Sequence, residues 1–118
     1  MSLTIYHNPR CSKSRATLEL LQSHGLEPEI VQYLESPPDA ATLEDLARKL
    51  GRRPQEFLRT GEQAWKELGL DPDSVSDEEL FRLMSEHPIM IERPIVVCAD
   101  RARIGRPPEA VLEIVPES

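Results

Sequence analysis

A single cysteine near the N-terminus is surrounded by basic side chains. In the stretch YHNPRCSKSR, residues 6–15, Cys11 is accompanied by one histidine, two arginines and one lysine, and no carboxylate precedes Glu19. The whole chain carries a formal net charge of -7, so this local charge runs against the overall composition. The thiolate is the nucleophilic form of cysteine, and nearby positive charge lowers the thiol pKa. The pattern therefore indicates an activated cysteine; the alternative is a small buried residue whose basic neighbours face solvent.

The elements around this cysteine would place it at the start of a helix. Residues 3–6 are typical of a short strand, Asn8-Pro9 predicts a turn, and the apolar spacing over 12–24 predicts a helix. The first turn of a helix has unpaired N–H groups and a partial positive charge, which stabilise a thiolate and suit a tetrahedral oxyanion. Ser12 and Ser14, in that first turn, are therefore candidate substrate-binding residues.

The rest of the chain predicts an α/β fold. A second strand at 29–33 completes a βαβ unit, which favours parallel pairing. Thr42 with Asp45 resembles a capping box for a helix ending at Leu50, and the S-x-x-E box at Ser76 opens another. A strand at 94–98, a hairpin partner at 101–104 and a final helix from Pro107 follow. We expect a single domain over 1–118, with a small mixed sheet flanked by helices and a helical insertion at about 39–88 between the βαβ and ββα halves.

Spacing alone tests other cysteine chemistries. A dithiol motif needs C-x-x-C, but the fourth position is Ser14, and a phosphatase loop needs arginine where this chain has Thr17. Cys98 ends an apolar strand and is interpreted as a reduced, buried core thiol. The two cysteines and three histidines lack metal-ligand spacing, so no metal site is predicted.

Composition limits the classes of partner. The apolar runs are too short to span a bilayer and no signal-peptide core precedes the first strand, so we expect no membrane association. Two cysteines in 118 residues favour a reducing, cytoplasmic location over a secreted disulfide scaffold. A sequence pI near 5.0 argues against direct nucleic-acid binding. Any anion that this protein binds should be small and locally captured.

Three arginines lie at the boundaries of predicted elements: Arg59, Arg93 and Arg106. A guanidinium suits a tetrahedral oxyanion because its planar fork donates two parallel, charge-assisted hydrogen bonds. Arg93 directly precedes Pro94 at a strand entrance, where the peptide bond can be cis.

The motifs HNPRCSKSR, ERPIVV and IGRPPEAVLEIV together resemble the ArsC family of glutaredoxin-linked arsenate reductases, and most of all a short bacterial branch of it. The resemblance runs along essentially the whole chain. It implies a thioredoxin-like, glutaredoxin-type fold with a helical insertion and a cis proline at Pro94. It also implies that Cys11 is the nucleophile and that His7 helps to keep the thiol ionised.

The same resemblance implies a substrate and partners. An arginine triad that holds the arsenic oxyanion falls on Arg59, Arg93 and Arg106. Arsenate would be the substrate, glutathione the co-substrate and glutaredoxin the protein partner, with no bound cofactor and a monomeric chain. Two alternatives remain open: an Spx-like transcriptional regulator that binds RNA polymerase, and a general glutathione-dependent thiol oxidoreductase. Regulators usually carry C-x-x-C, so Ser14 favours the enzyme.

Overall fold

The computed structural model describes residues 3–116, which form two compact units. The first unit comprises residues 3–36 and 93–116 and contains the sheet. The second comprises residues 37–92 and is helical.

The sheet has four strands in the order β2-β1-β3-β4. They are β1 (Leu3–His7), β2 (Glu29–Gln32), β3 (Ile95–Cys98) and β4 (Arg101–Ile104). β1 is parallel to β2 and antiparallel to β3, and β3 is antiparallel to β4. Tyr6 is paired with Ile95, and Ile95 with Ile104. The end of β1, the start of β3 and the end of β4 therefore meet at one edge of the sheet.

One apolar cluster holds the first unit together. Helix α1 (Ser12–Ser23) and a C-terminal 3-10 helix (Pro108–Glu113) pack against each other. The buried side chains of the cluster come from β1, α1, β3 and the C-terminal segment: Ile5, Leu21, Val96, Cys98, Val111 and Ile114. Burial of apolar area from several elements stabilises the sheet that carries the loops at its edge.

The helical unit contains α2 (Ala40–Leu50), α3 (Gln63–Leu68) and α4 (Asp77–Glu86). α2 packs against α4 through buried apolar residues, among them Leu43, Leu46, Leu80 and Met84. Three 3-10 helices connect these elements: Pro54–Phe57, Pro72–Ser74 and Pro88–Met90. The predicted S-x-x-E cap is confirmed, because the Ser76 hydroxyl accepts a hydrogen bond from the Glu79 N–H at 3.2 Å.

The structure adds detail to, or differs from, the sequence-based expectation in three places. α2 begins at Ala40 rather than near Thr42, because the Asp39 carboxylate accepts the Thr42 N–H at 2.8 Å and caps the helix earlier. α3 was not predicted; it has six residues, and Trp65 is its one buried side chain. The predicted final helix is present as a 3-10 helix that begins at Pro108.

The predicted fold class is confirmed: the chain has an α/β, thioredoxin-like architecture with a mixed sheet. Within residues 3–116, no helix combines the length and the apolar character that crossing a bilayer requires.

Candidate active site

The turn between β1 and α1 places Cys11 at the N-cap of the helix. Its N–H donates to the Asn8 carbonyl at 3.0 Å, and its own carbonyl accepts the Arg15 N–H at 3.0 Å. The Asn8 side chain also accepts the Arg10 N–H at 3.0 Å, which closes the turn from within. No acidic residue lies in the first turn of α1, and the thiol is partly exposed. A thiolate at this position is stabilised by the helix N–H groups and is not repelled by a carboxylate in the same turn.

Two arginines lie beside the cysteine because of the strand register. Arg93 precedes β3 and Arg106 follows β4, at the sheet edge where β1 ends. The Arg106 Nη2 lies 3.7 Å from the Cys11 Sγ, and its Nε donates to the Arg93 carbonyl at 2.9 Å. The Arg93–Pro94 and Arg106–Pro107 peptide bonds are both cis. Two guanidinium groups separated by twelve residues of sequence thus converge on one thiol.

The pKa of the Cys11 thiol is lowered. Partial burial raises this pKa, but the backbone N–H of Ser14, the Arg93 guanidinium and the backbone N–H of Lys13 together outweigh burial. The sequence-based explanation combined the helix N–H groups with the basic side chains of the turn; the helix N–H groups do lower the pKa, and Arg93 contributes in addition. Arg15 donates instead to the Pro9 carbonyl at 2.9 Å and so braces the turn.

Ser14 links the turn to the helix from a fully buried position. Its hydroxyl oxygen accepts the Asn8 N–H at 3.0 Å and lies 2.6 Å from the His7 Nδ1. Burial, and then the charge of Arg15, lower the pKa of His7, so the ring is neutral at neutral pH. With one acceptor site of the hydroxyl used by Asn8, its proton suits the Nδ1 of that neutral ring. The Ser14 side chain therefore orders the turn, while the backbone N–H of Ser14 faces the Cys11 thiol. Ser12, the other candidate serine, is exposed in the first turn of α1.

Replacing Ser14 by alanine is expected to destabilise the protein by about 1–3 kcal/mol, because the buried Asn8 N–H loses its acceptor. Urea unfolding followed by circular dichroism measures the change. The matched control is Ser23→Ala in the same helix, whose exposed hydroxyl donates only to the Leu20 carbonyl; its effect should stay within about 0.5 kcal/mol. Equal losses in the two variants would contradict this role of Ser14.

Arg59 belongs to the helical unit, where two carboxylates hold its side chain. Its Nε lies 3.3 Å from Glu62 and its Nη1 lies 2.9 Å from Glu92. A surface pocket of about 430 Å³ surrounds these three residues and is also lined by Leu58, Thr60 and Gly61. The structure thus brings Cys11, Arg93 and Arg106 together in the first unit and describes Arg59 within the second.

Gly105 is a site-supporting residue that the sequence interpretation missed. A Cβ at this position would lie 2.5 Å from the Thr17 Oγ1 and 2.8 Å from the Pro94 Cγ. The Gly105 N–H donates to the Pro94 carbonyl at 2.9 Å, so the absence of a side chain lets α1, Pro94 and the segment before Arg106 approach closely. Its position directly before Arg106-Pro107 in the third motif was the available signal.

Cys98 lies at the other end of the sheet. It pairs with Leu3, at the start of β1, whereas Cys11 follows the end of that strand. Cys98 is 3% exposed, and both cysteines are free. Along residues 3–116, no three His, Cys, Asp or Glu side chains are grouped so that they could hold a metal ion.

A groove of about 260 Å³ lies alongside the turn. Its lining consists of the four residues that precede Cys11, the last residue of β2 and the segment after it: His7, Asn8, Pro9, Arg10, Gln32, Leu34 and Glu35. The groove therefore carries one arginine, one glutamate and apolar wall area next to the nucleophile.

Comparisons with known proteins agree with this geometry. The model of the ArsC family matches residues 6–114. YfgD of Escherichia coli, described as an uncharacterized protein, is 58% identical over 112 residues, or 94% of each chain. A Haemophilus influenzae arsenate reductase is 49% identical over 98% of this chain and 100% of its own. The solved structure of an arsenate reductase from Vibrio cholerae superposes with a TM-score of 0.93 at 51% identity, covering 98% of both chains.

Proposed function

The chain belongs to the ArsC family, and on that basis we propose that it is an arsenate reductase with Cys11 as the nucleophile. The observation that carries the proposal is the lowered pKa of a partly exposed thiol with the Arg93 and Arg106 guanidinium groups beside it. The lowered pKa of Cys11 increases the fraction of the nucleophilic thiolate, and the arginines supply charge for an oxyanion.

The first step forms a sulfur–arsenic bond. Arsenate binds against the N–H groups of the first turn of α1, with Arg93 and Arg106 compensating its charge; the family resemblance assigns Arg59 to the same role. The Cys11 thiolate attacks As(V), and one arsenic oxygen leaves as water after it is protonated. His7 supports this step through Ser14, because it holds the hydroxyl of the residue whose N–H lowers the Cys11 pKa.

External thiols complete the reduction. Glutathione displaces a second oxygen from arsenic as water and forms a second sulfur–arsenic bond. A glutaredoxin thiolate then attacks the glutathione sulfur; that sulfur–arsenic bond breaks, its electron pair reduces As(V) to As(III), and a mixed disulfide forms. Water hydrolyses the remaining Cys11–arsenic bond, which releases arsenite and the free thiol.

The nature of residue 14 and the position of Cys98 support an external thiol donor. Ser14 stands where a local resolving cysteine would be, and Cys98 is buried about three strand residues, roughly 10 Å, from the edge that carries Cys11. The groove beside the turn, with Arg10 and Glu35 on its walls, suits a small thiol that carries both a carboxylate and an ammonium group, as glutathione does.

The decisive experiment measures arsenite directly. The protein is incubated with arsenate, glutathione, glutaredoxin and an NADPH-coupled regenerating system, and arsenic species are separated by chromatography. Arsenite above the level of a Cys11→Ser control is expected, and it should fall when glutaredoxin is omitted. No arsenite above that control would overturn the proposal. Turnover of a glutathionylated peptide in its place would assign the chain to the general thiol oxidoreductases.

A further inference from the structure

The groove beside the turn lies at the carboxyl ends of two parallel strands. The register of β1 and β2 pairs His7 with Gln32, and these are the last residues of the two strands. The segments that follow the strands supply the walls, residues 8–10 after β1 and residues 34 and 35 after β2. In α/β sheets, ligands bind in crevices at this end of parallel strands. The fold therefore forms the groove at a position that suits a ligand.

Two buried polar side chains line the groove, His7 and Asn8, each of which is 6% exposed. The Nδ1 of His7 lies 2.6 Å from the Ser14 hydroxyl, and the Oδ1 of Asn8 accepts the Arg10 N–H. Among residues 3–116, the His7 Nε2 and the Asn8 Nδ2 have no partner, and neither atom is sealed from solvent. Because the Ser14 proton suits Nδ1, the Nε2 carries the hydrogen of the neutral ring. Both side chains therefore offer N–H donors to a ligand in the groove.

The groove also carries one charged side chain of each sign. Arg10 and Glu35 are exposed, and within the part of the chain that the structure describes neither takes part in an ion pair. The Glu35 N–H donates to the Gln32 carbonyl at 3.0 Å, so a turn holds the carboxylate beside the end of β2. A guanidinium and two N–H donors suit a carboxylate, and a glutamate suits an ammonium group. The lining therefore matches a ligand end that carries both charges.

The size of the groove limits what it can hold. Its volume of about 260 Å³ is below the roughly 300–1,000 Å³ of pockets that enclose a whole small ligand. It therefore holds one end of a peptide-sized thiol, and the rest of the molecule extends towards Cys11, which directly follows Arg10. The two ends of glutathione differ in charge: the γ-glutamyl end has a carboxylate and an ammonium group, whereas the glycyl end has a carboxylate alone.

We propose that this groove binds the γ-glutamyl end of the external thiol, with the carboxylate at His7, Asn8 and Arg10 and the ammonium group at Glu35. This inference rests on the proposed function, which requires an external thiol, and it adds which end is recognised and by which residues. The cysteinyl sulfur then lies outside the groove, on the side of Cys11. The glycyl end contributes little to the affinity, so the site selects γ-glutamyl thiols over thiols that lack this pair of charges.

Truncated ligands test which end is bound. S-methylglutathione is titrated into the reduced protein without arsenate, and binding is followed by NMR; the methyl group prevents thiol chemistry. Removing the γ-glutamyl unit, which leaves S-methylcysteinylglycine, should weaken binding at least roughly ten-fold. Removing the glycine, which leaves γ-glutamyl-S-methylcysteine, should weaken it by less than about three-fold. Equal losses, a larger loss on removal of glycine, or no binding of S-methylglutathione would overturn the inference.

A pair of changes tests the contact with the ammonium group. Glu35→Gln and N-acetylation of the ligand should each weaken binding roughly three-fold, and the two together should weaken it no more than either alone, because both remove the same exposed pair. Glu29→Gln is the matched control, since it removes the same charge from an exposed residue at the other end of β2 and should leave binding unchanged. Independent effects of Glu35→Gln and N-acetylation would contradict the assignment.

The histidine contact can be tested without a substitution in the core. The ¹⁵N resonance of the His7 Nε2 should shift when S-methylglutathione binds, whereas those of the other two histidines, His24 and His87, should not. A ligand that binds and leaves the His7 resonance unmoved binds elsewhere, and the inference fails.

The failure of this inference can be told apart from the failure of the proposed activity. If the protein forms no arsenite but binds the ligands in the expected order, the activity fails while the assignment of the groove stands. If arsenite forms with glutathione but Glu35→Gln and Arg10→Gln leave the KM for glutathione unchanged, the assignment fails while the activity stands.

Discussion

Replacing Cys11 by serine is expected to abolish arsenite formation, with a loss of roughly 10³-fold or more. The serine side chain keeps nearly the same shape, but its hydroxyl does not ionise near neutral pH, so the helix N–H groups and Arg93 have no thiolate to stabilise. Arsenic also binds sulfur far better than it binds an alkoxide oxygen, so the covalent intermediate is lost. Chromatographic measurement of arsenite, with glutathione and glutaredoxin present, gives the rate.

Cys98→Ala is the control for this experiment. Cys98 is buried at the other end of the sheet, so its removal should cost some stability but retain turnover in the folded protein. Alkylation by iodoacetamide provides a second measurement: wild-type protein should react below the pH at which free cysteine reacts, and Cys11→Ser should not. Loss of activity in Cys98→Ala with activity retained in Cys11→Ser would move the chemistry away from the turn.

The position of Cys11 could be predicted from sequence because the signals are local. The strand, the Asn8-Pro9 turn and the helix that begins at Ser12 are determined by neighbouring residues, and the structure has each of them. The S-x-x-E cap at Ser76 is local in the same sense. The start of α2 was predicted wrongly from Thr42, because the Asp39 side chain caps the helix three residues earlier.

The helix N–H groups of Ser14 and Lys13 that lower the Cys11 pKa are local, but the contribution of Arg93 is not and could not be found in this way. Arg93 lowers the Cys11 pKa only because β1 pairs with β3 in one register, which brings residues about eighty positions apart to one edge. The buried role of Ser14, the close approach at Gly105 and the carboxylates on Arg59 likewise depend on tertiary packing. Sequence patterns identified the residue types of the site; the contacts that tune them required the fold.

Replacing Arg93 by alanine is expected to lower kcat/KM for arsenate roughly 10²-fold. Two effects add: the oxyanion loses a charged donor, and the Cys11 thiolate loses a charge-assisted hydrogen bond, which raises the pKa of the thiol. The thiolate is the active form, so activity rises with pH through the Cys11 pKa. The acidic limb of the pH–rate profile should therefore move to higher pH in the variant, and the same shift should appear in the pH dependence of alkylation.

Two matched variants show whether position or charge matters at Arg93. Arg101→Ala removes the same charge from an exposed site on β4 and should leave both the rate and the acidic limb unchanged. Arg93→Lys keeps a positive charge but loses the planar fork. Compared with Arg93→Ala, it should therefore recover most of the lowering of the Cys11 pKa but only part of the arsenate turnover. A profile of Arg93→Ala that falls in rate without a shift of the acidic limb would mean that Arg93 acts on the oxyanion alone. The ionisation of Cys11 would then depend on the helix N–H groups of Lys13 and Ser14, which belong to the same short turn as the cysteine.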